Sequence, residues 1–465
     1  MRGSEDTICA PATGKGGAIS IIRVSGKETF GICEKIFIPY GKKLNLSEQN
    51  GYTVIYGEIR SDAELIDNVL LTIFKNPHSY TGEDSAEISC HASSYVIRKI
   101  LELLIRNGAR PATQGEFTQR AFMNGKMDLS QAEAVADIIA SSSKAAHRIA
   151  MNQMRGGFSA EVGQLRAELL HFASLIELEL DFGEEDVEFA DRAELKIIVQ
   201  RVKDLTDRLA DSFMLGNAVK NGIPVAIIGK PNSGKSTLLN TLLKEERAIV
   251  SEIPGTTRDT IEDTMVIDGL EYRFIDTAGI RETSDVIETI GIKRTYEKIS
   301  QASIVLLIDE ISDTPESVNR RADQIRELID GQRLFILINK IDKSDKTYQK
   351  QFSENITLRD NEKLLFISAR EKTGIEELKA QLGDTSLKEK IDSDEVIVTN
   401  IRHYDSLVQV SGSLGRVLEG LESGIPEDLI AIDIRQAIHY LGEITGQITT
   451  DEILGNIFKN FCIGK

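Results

Sequence analysis

Gly229-Lys-Pro-Asn-Ser-Gly-Lys-Ser236 is flanked by the apolar run Ile223-Pro-Val-Ala-Ile-Ile228 and by Thr237-Leu-Leu-Asn-Thr-Leu-Leu-Lys244, and this stretch decides the fold. It reads as strand, loop and helix, with glycines at the first and sixth loop positions and Lys-Ser at the end. Glycine lets the backbone turn its N–H groups inward, Lys235 reaches the terminal phosphates of a nucleotide, and the Ser236 hydroxyl can ligate Mg²⁺. The helix that follows points its positive end at the same anion. Asn232, Ser233, Gly234, Lys235, Ser236 and Thr237 are the candidate phosphate contacts.

Downstream, Asp268-Gly269 between alternating apolar runs predicts a hairpin leading into Asp276-Thr277-Ala278-Gly279. Asp276 at a strand end suits an outer carboxylate of the magnesium shell, and the Gly279 N–H can meet a γ-phosphate. Ile304 to Asp309, Leu334 to Ile338 and Leu364 to Ile367 are further strands with helices between them, the alternation of a three-layer α/β sheet. Asn339-Lys340-Ile341-Asp342 follows one of these strands directly. A carboxylate there accepts two hydrogens from guanine N1 and its exocyclic amine, a pair adenine lacks, so guanine is selected. Ser368-Ala369-Arg370 completes the set that GTPases place around the base.

Between loop and hairpin, Ile253-Pro-Gly-Thr-Thr-Arg-Asp259 has the makeup of a switch, with Thr257 the candidate to close the Mg²⁺ shell when γ-phosphate is present. The position where Ras-type proteins carry a water-orienting glutamine is Ile280. Catalysis must come from elsewhere: Arg258 or Arg281, an acid among Glu282, Asp285 and Glu288, or a second subunit.

With 465 residues the chain holds about three domains. Hydrophobic residues at 41% and charged residues at 28% are those of a soluble globular protein, and no apolar run approaches a membrane span or a signal-peptide core, so a cytoplasmic location is expected. Cys9, Cys33, Cys90 and Cys462 form no CxxC pair, which speaks against a disulfide framework or a zinc site. With a net charge of −18, generic polyanion affinity is not written into the composition, so any nucleic acid needs a local patch or a partner.

Before residue 120 the pattern is α+β: strand-like runs at Ala18–Val24, Tyr52–Ile59 and Val69–Phe74, then a helix through Val96, Ile100, Leu103 and Leu104. Asp128 with Gln131 is a capping-box start for a helical region whose apolar stripe continues through Leu165, Leu169, Phe172 and Ile176. Glu177 to Glu194 is an acidic run, and helical character resumes over Leu195 to Leu215. Beyond residue 395, Leu407, Val410, Leu414, Val417 and Leu421 form a stripe, and Pro426 is expected as the first residue of a helix carrying Ile430, Ile434, Ile438 and Leu441. Helices on both sides of the nucleotide domain bury their stripes most economically as one bundle with that domain inserted. The expected domains are 1–120, 121–220, 221–382 and 383–465.

These residues together resemble the MnmE (TrmE) family of tRNA modification GTPases, within the TrmE-Era-EngA-YihA-Septin-like superfamily. The resemblance covers essentially the whole chain: Arg23-Val-Ser-Gly26, Thr81-Gly-Glu-Asp84, Gly115-Glu-Phe117, Arg120-Ala-Phe122, Asn124-Gly-Lys126, Gln131-Ala-Glu-Ala134, the GTPase motifs, and the terminal Phe461-Cys-Ile-Gly-Lys465. It implies an α+β domain that dimerises and binds tetrahydrofolate, a helical bundle, and an inserted Ras-like P-loop G domain. The activity implied is GTP hydrolysis coupled to modification of carbon 5 of the wobble uridine of certain tRNAs, of carboxymethylaminomethyl or aminomethyl type. A homodimer, tRNA, and the FAD-dependent partner MnmG in a heterotetramer-type complex are the implied partners, with 5,10-methylenetetrahydrofolate or 5-formyltetrahydrofolate as one-carbon donor.

By motif, Arg23, Glu87, Lys126 and Lys465 resemble the folate-site residues, where basic groups suit the glutamate tail and an acid suits the pterin edge. Asn232 resembles the ligand of a K⁺ ion, with Ser251, Ile253 and Thr256 closing the cation site, and G domains in the family pair on GTP and K⁺. Glu288 resembles the acid that orients the attacking water. Two departures from the family pattern are His91-Ala-Ser93, where His-Gly-Gly is usual, and Gly183, where proline is usual. Two other readings are a ribosome-assembly GTPase switch without folate and a folate-dependent methyltransferase acting alone.

Overall fold

The computed structural model describes residues 6–14, 16–41, 44–62, 64–181, 192–245, 263–275, 299–383, 395–459, 461, 463 and 464. It divides into two compact units, one of residues 1–140, 151–207 and 405–465, the other of residues 141–150 and 208–404.

The first unit contains a seven-stranded sheet in the order β3-β4-β5-β6-β2-β1-β7, built from β1 (Ile8–Pro11), β2 (Ile19–Ser25), β3 (Phe37–Pro39), β4 (Thr53–Ser61), β5 (Glu64–Phe74), β6 (Ser85–His91) and β7 (Arg110–Pro111). Alternation dictates the faces: Ile55, Ile59, Val69, Leu71 and Ile73 enter the core while Val54, Tyr56 and Leu70 stay exposed. Two short helical pieces break the strand-like N-terminal pattern. One is α1 (Thr29–Glu34), which buries Phe30, Ile32 and Cys33, and the other is a 3-10 turn at Leu46–Glu48. The stretch is too short for a 3.6-residue period to declare itself in sequence. Helix α2 (Ser94–Arg106) buries the expected Val96, Ile100, Leu103 and Leu104. The usual glycines after His91 are not required: Ser93 sits at φ −74, ψ 129, open to any residue.

The TGED, GEF, RAF and NGK stretches converge. Helix α3 (Glu116–Met123) delivers Arg120, whose guanidinium donates to both Glu83 carboxylate oxygens at 3.1 Å, to Glu116 at 3.1 Å and to the Asp6 carbonyl at 2.8 Å. Arg110 grips Glu116 with two bonds of 2.9 and 2.6 Å, and Asn124 donates to the Thr81 carbonyl. Arg120, Glu116 and Glu83 are nearly enclosed.

The expected capping box forms in both directions before α4 (Leu129–Ala140): the Gln131 N–H donates to Asp128 Oδ1 and the Asp128 N–H to Gln131 Oε1, each at 2.9 Å. After α5 (Lys144–Met154), α6 (Gly157–Asp181) buries Leu165, Leu169, Phe172 and Ile176. Each such side chain contributes about 1.5–3 kcal/mol of burial. Helical character over Leu195–Leu215 proves to be two helices, α7 (Arg192–Asp211) and α8 (Phe213–Asn221), separated at Ser212. The Ser212 hydroxyl donates to the Leu209 carbonyl, a local bond, and accepts from the N–H of Val398, 186 residues away. Of the acidic run, residues 182–191, including Gly183, lie outside the described residues.

In the second unit six strands run in the order β13-β12-β11-β8-β10-β9: β8 (Ile223–Gly229), β9 (Asp263–Ile267), β10 (Leu270–Phe274), β11 (Ile304–Glu310), β12 (Arg333–Asn339) and β13 (Glu362–Phe366). All pairs are parallel except β9 with β10, whose turn residues Asp268 and Gly269 take φ of 52° and 84°, as a two-residue hairpin with right-handed strand twist requires. Helices α9 (Lys235–Glu245), α10 (Pro315–Arg326), α11 (Lys346–Glu354) and α12 (Ile375–Leu382) accompany the sheet. The chain continues through α13 (Ile401–Ser423), α14 (Glu427–Thr445) and α15 (Asp451–Phe458). Pro426 is the residue capping α14 (φ −54, ψ 143) and not its first helical residue, a one-position correction; its ψ is extended where a helical residue would need about −40°. In the first unit α14 packs along α6, burying Ile430, Ile434, Ile438 and Leu441.

Candidate functional site

The loop between β8 and α9 approaches its neighbours too closely for side chains at its two glycines. A Cβ on Gly229 (φ +158) would collide with the Ile308 carbonyl, and one on Gly234 (φ +101) with the Asn339 amide. Asn232 holds a left-handed φ of 62°, and Ser233 is fully buried. Lys235 Nζ donates to the Gly229 and Lys230 carbonyls, both at 2.8 Å, so its ammonium rests on the loop's own backbone. Enclosed turn, ammonium and helix start make a phosphate cradle.

Asn339 fastens the Asn339–Asp342 loop to the Gly229–Ser236 loop. Its amide donates to the Ser233 carbonyl at 2.8 Å, while its carbonyl oxygen accepts the Lys340 N–H at 2.8 Å and the Ala369 N–H at 3.0 Å. Lys340 takes φ 64° so that the chain can turn into the 3-10 piece carrying Asp342. Ser368 donates to Asp342 Oδ1 at 2.6 Å, and this hydrogen bond, ahead of other influences, holds the Asp342 carboxyl below its ordinary range. Thr241 on α9 donates to the Ala369 carbonyl. Phosphate loop, NKxD and SAR therefore form one hydrogen-bonded frame. The Arg370 side chain is exposed.

In the first unit Arg23 and Glu87 face each other across the β2–β6 pair, with Arg23 Nε donating to Glu87 at 2.9 Å. The Arg23 guanidinium lies over the rings of Tyr80 (5.1 Å) and Phe117 (5.6 Å) and donates to the Gly464 carbonyl at 3.3 Å. Neither ring was singled out as a site candidate from sequence; Phe117 appears there within the Gly115-Glu-Phe117 motif, but its placement against Arg23 has no local signature. Lys126 stands against Gly82 and donates to the Pro77 carbonyl at 2.9 Å, on the loop that supplies Tyr80.

Burial pushes the Cys9, Cys33 and Cys90 thiols up to about 11, 12 and 11, which makes them poor nucleophiles. No helix among the described residues is long and apolar enough to cross a membrane.

A sequence profile described as the MnmE helical domain matches residues 129–462, and one described as GTP-binding protein TrmE N-terminus matches residues 7–126. The tRNA modification GTPase MnmE of Bacteroides fragilis is 52% identical over 99% of this chain and all of its own length; that of Flavobacterium psychrophilum is 53% identical over 99% of both. The chain belongs to the MnmE family of tRNA modification GTPases. As for solved structures, the G domain of the T. maritima FeoB iron transporter covers 34% of the chain and 96% of its own, at 25% identity and a TM-score of 0.25.

Several residues that the family resemblance points to lie outside the described residues: Ser251, Ile253, Thr256, Thr257, Asp276, Thr277, Ala278, Gly279, Glu288, Cys462 and Lys465. Of the described candidates, Arg23, Glu87 and Lys126 belong to the first unit, and Asn232 to Thr237, Asn339, Lys340, Asp342 and Ser368 to Arg370 to the second.

Proposed function

We propose that this chain hydrolyses GTP at the Gly229–Ser236 loop and couples the hydrolysis to modification of carbon 5 of the wobble uridine of certain tRNAs. The supporting observation is the frame Ser233–Asn339–Ala369 with Ser368–Asp342, which ties the phosphate cradle to the carboxylate that reads guanine. Lys235 and the N–H groups of Ser233, Gly234, Ser236 and Thr237 hold the phosphates, and Lys340 and Arg370 flank the base. Ser236 and Thr257 are the Mg²⁺ ligands in this reading, with Asp276 an outer carboxylate of the magnesium shell and the Gly279 N–H meeting the γ-phosphate. The ion supplies charge neutralisation between the phosphates.

Asn232, Ser251, Ile253 and Thr256 hold K⁺, whose charge serves where an arginine finger otherwise would. Exchanging K⁺ for Na⁺ in a steady-state phosphate-release assay is expected to slow hydrolysis at least tenfold; equal rates in the two salts remove the potassium role. Glu288 orients the attacking water. Glu288→Ala is expected to keep GTP affinity and lose turnover by about 10²-fold or more, and undiminished single-turnover hydrolysis returns the role to Glu282, Asp285 or an arginine.

Arg23 and Glu87, with Lys126 and Lys465, take tetrahydrofolate as 5,10-methylene or 5-formyl derivative: the guanidinium close to the Tyr80 and Phe117 rings and the acid beside it suit a flat, hydrogen-bonding pterin. Homodimerisation is supported by the exposed Val54, Tyr56 and Leu70 together with Tyr40, whose ring stands 4.9 Å from that of Tyr56 on the same β3–β5 surface. MnmG, an FAD protein, is the partner for the uridine chemistry in a heterotetramer-type complex. Deleting the gene and analysing tRNA nucleosides by mass spectrometry tests the whole reading: loss of the wobble-uridine modification supports it, and an unchanged nucleoside profile with altered ribosomal subunits favours an assembly switch.

A further inference from the structure

The turn between β11 and α10 presents two acids to two lysines that touch the phosphate loop. Lys230, the loop's second residue, donates to Asp313 Oδ1 at 2.5 Å. Lys340 donates to Glu310 Oε1 at 2.6 Å and, with the same ammonium, to the Asn232 carbonyl at 2.8 Å. The turn is itself braced. Asp313 Oδ2 accepts from the Glu310 N–H at 3.3 Å and from Arg321 on α10 at 3.1 Å, while Ile311 N–H donates to the Asn339 carbonyl at 2.9 Å. The Glu310 and Asp313 side chains are 14% and 13% exposed, so little water competes for them. Burial pushes both carboxyls up, but the lysine ammoniums outweigh it and hold both below their ordinary range.

We propose that Glu310 and Asp313 are positioning residues for guanine-nucleotide retention: through Lys340 and Lys230 they clamp the outer side of the phosphate loop. Asn232 carries a left-handed φ of 62°, a region asparagine enters more readily than other side-chain-bearing residues, and its carbonyl is thereby turned toward the Lys340 ammonium, 2.8 Å away. Glu310 fixes where that ammonium sits. Asp313 acts on the loop more directly, by holding the ammonium of Lys230, the loop's second residue. Neither acid touches the nucleotide in this arrangement, so loss of either acts on how long the loop keeps its shape and leaves the guanine-reading Asp342–Ser368 pair in place.

The inference rests on the nucleotide reading above, and the test separates the two. Release of N-methylanthraniloyl-GDP from the full chain is followed by stopped flow against excess unlabelled GDP, for the parent, Glu310→Gln, Asp313→Asn, and the inverted pair Lys230→Asp with Asp313→Lys. The same is done with the labelled hypoxanthine analogue, which lacks the exocyclic amine. Failure of the parent to bind the probe sinks the nucleotide reading itself. Expected for each single variant is release about tenfold faster for both bases, with the guanine-to-hypoxanthine ratio unchanged. The inverted pair is expected to return toward the parent rate. Parental rates in both single variants, a collapse of the base ratio, or an inverted pair no slower than Asp313→Asn each overturn the proposal.

Discussion

Asp342→Asn is expected to weaken GTP binding by roughly 10²–10⁴-fold and to admit xanthosine triphosphate in its place. The carboxylate accepts two hydrogens from the guanine edge, charge-assisted bonds contributing about 1.5–3 kcal/mol each. An amide keeps the shape but turns one acceptor into a donor, so it meets the guanine amine with a hydrogen against a hydrogen. Xanthine presents a carbonyl there and restores the pairing. Ser368 still has an oxygen to donate to, so the loop is preserved and the change is one of base choice. Equilibrium titration of the full chain with both labelled nucleotides measures it; undiminished preference for GTP removes Asp342 from the base site.

Arg120→Met is expected to destabilise the sheet unit around TGED by about 3–5 kcal/mol, the range for removing one partner of a buried charge set. The side chain is 10% exposed and its two carboxylate partners 15% and 9%, so the substitution leaves Glu83 without its principal counter-charge. Arg110 continues to hold Glu116, which places the damage at Glu83 and the Asp6 carbonyl. Because a chain of several domains need not unfold in one step, native-state hydrogen exchange of β6 and α3 amides is the proper measurement. Protection equal to the parent contradicts the assignment. A double variant Arg120→Met with Glu83→Gln should recover part of the loss.

The same network sets an acid limit. Burial pushes Glu116 up, yet the Arg110 hydrogen bonds, the Thr113 N–H and the Arg110 and Arg120 charges prevail and hold it at about 2. A carboxyl depressed on folding stabilises fully above its ordinary value of 4.5, and that contribution is lost as pH falls through about 2. Glu116→Gln should therefore flatten the stability profile of this unit across that window.

Local signals carried far. The reciprocal bonds of Asp128 and Gln131 span three residues, and the Asp268-Gly269 turn needs only two. Such features are decided by the backbone chemistry of neighbours, which is why they stand in the sequence in plain form. Helix phase was equally readable at Leu165, Leu169, Phe172 and Ile176, since burial repeats every three to four residues. The break at Ser212 was not, because it depends on the N–H of Val398 arriving from 186 residues away. TGED, GEF and RAF were recognisable as motifs without a discernible task; their task is to meet in one ion-pair network.

By itself the sequence determined that the Gly229–Ser236 loop, the NKxD stretch and the SAR turn lie on strand ends of an α/β sheet, because each is a contiguous pattern complete within a few residues. Tertiary structure alone decided that Arg23 faces Glu87 beside Tyr80, Phe117 and the Gly464 carbonyl, and that Glu310 meets Lys340 and Asp313 meets Lys230. Those meetings follow from the register of antiparallel β2 on β6 and from the parallel neighbours β8, β11 and β12. Register is fixed by packing of a whole sheet face, a sum over many residues that no single stretch of sequence contains.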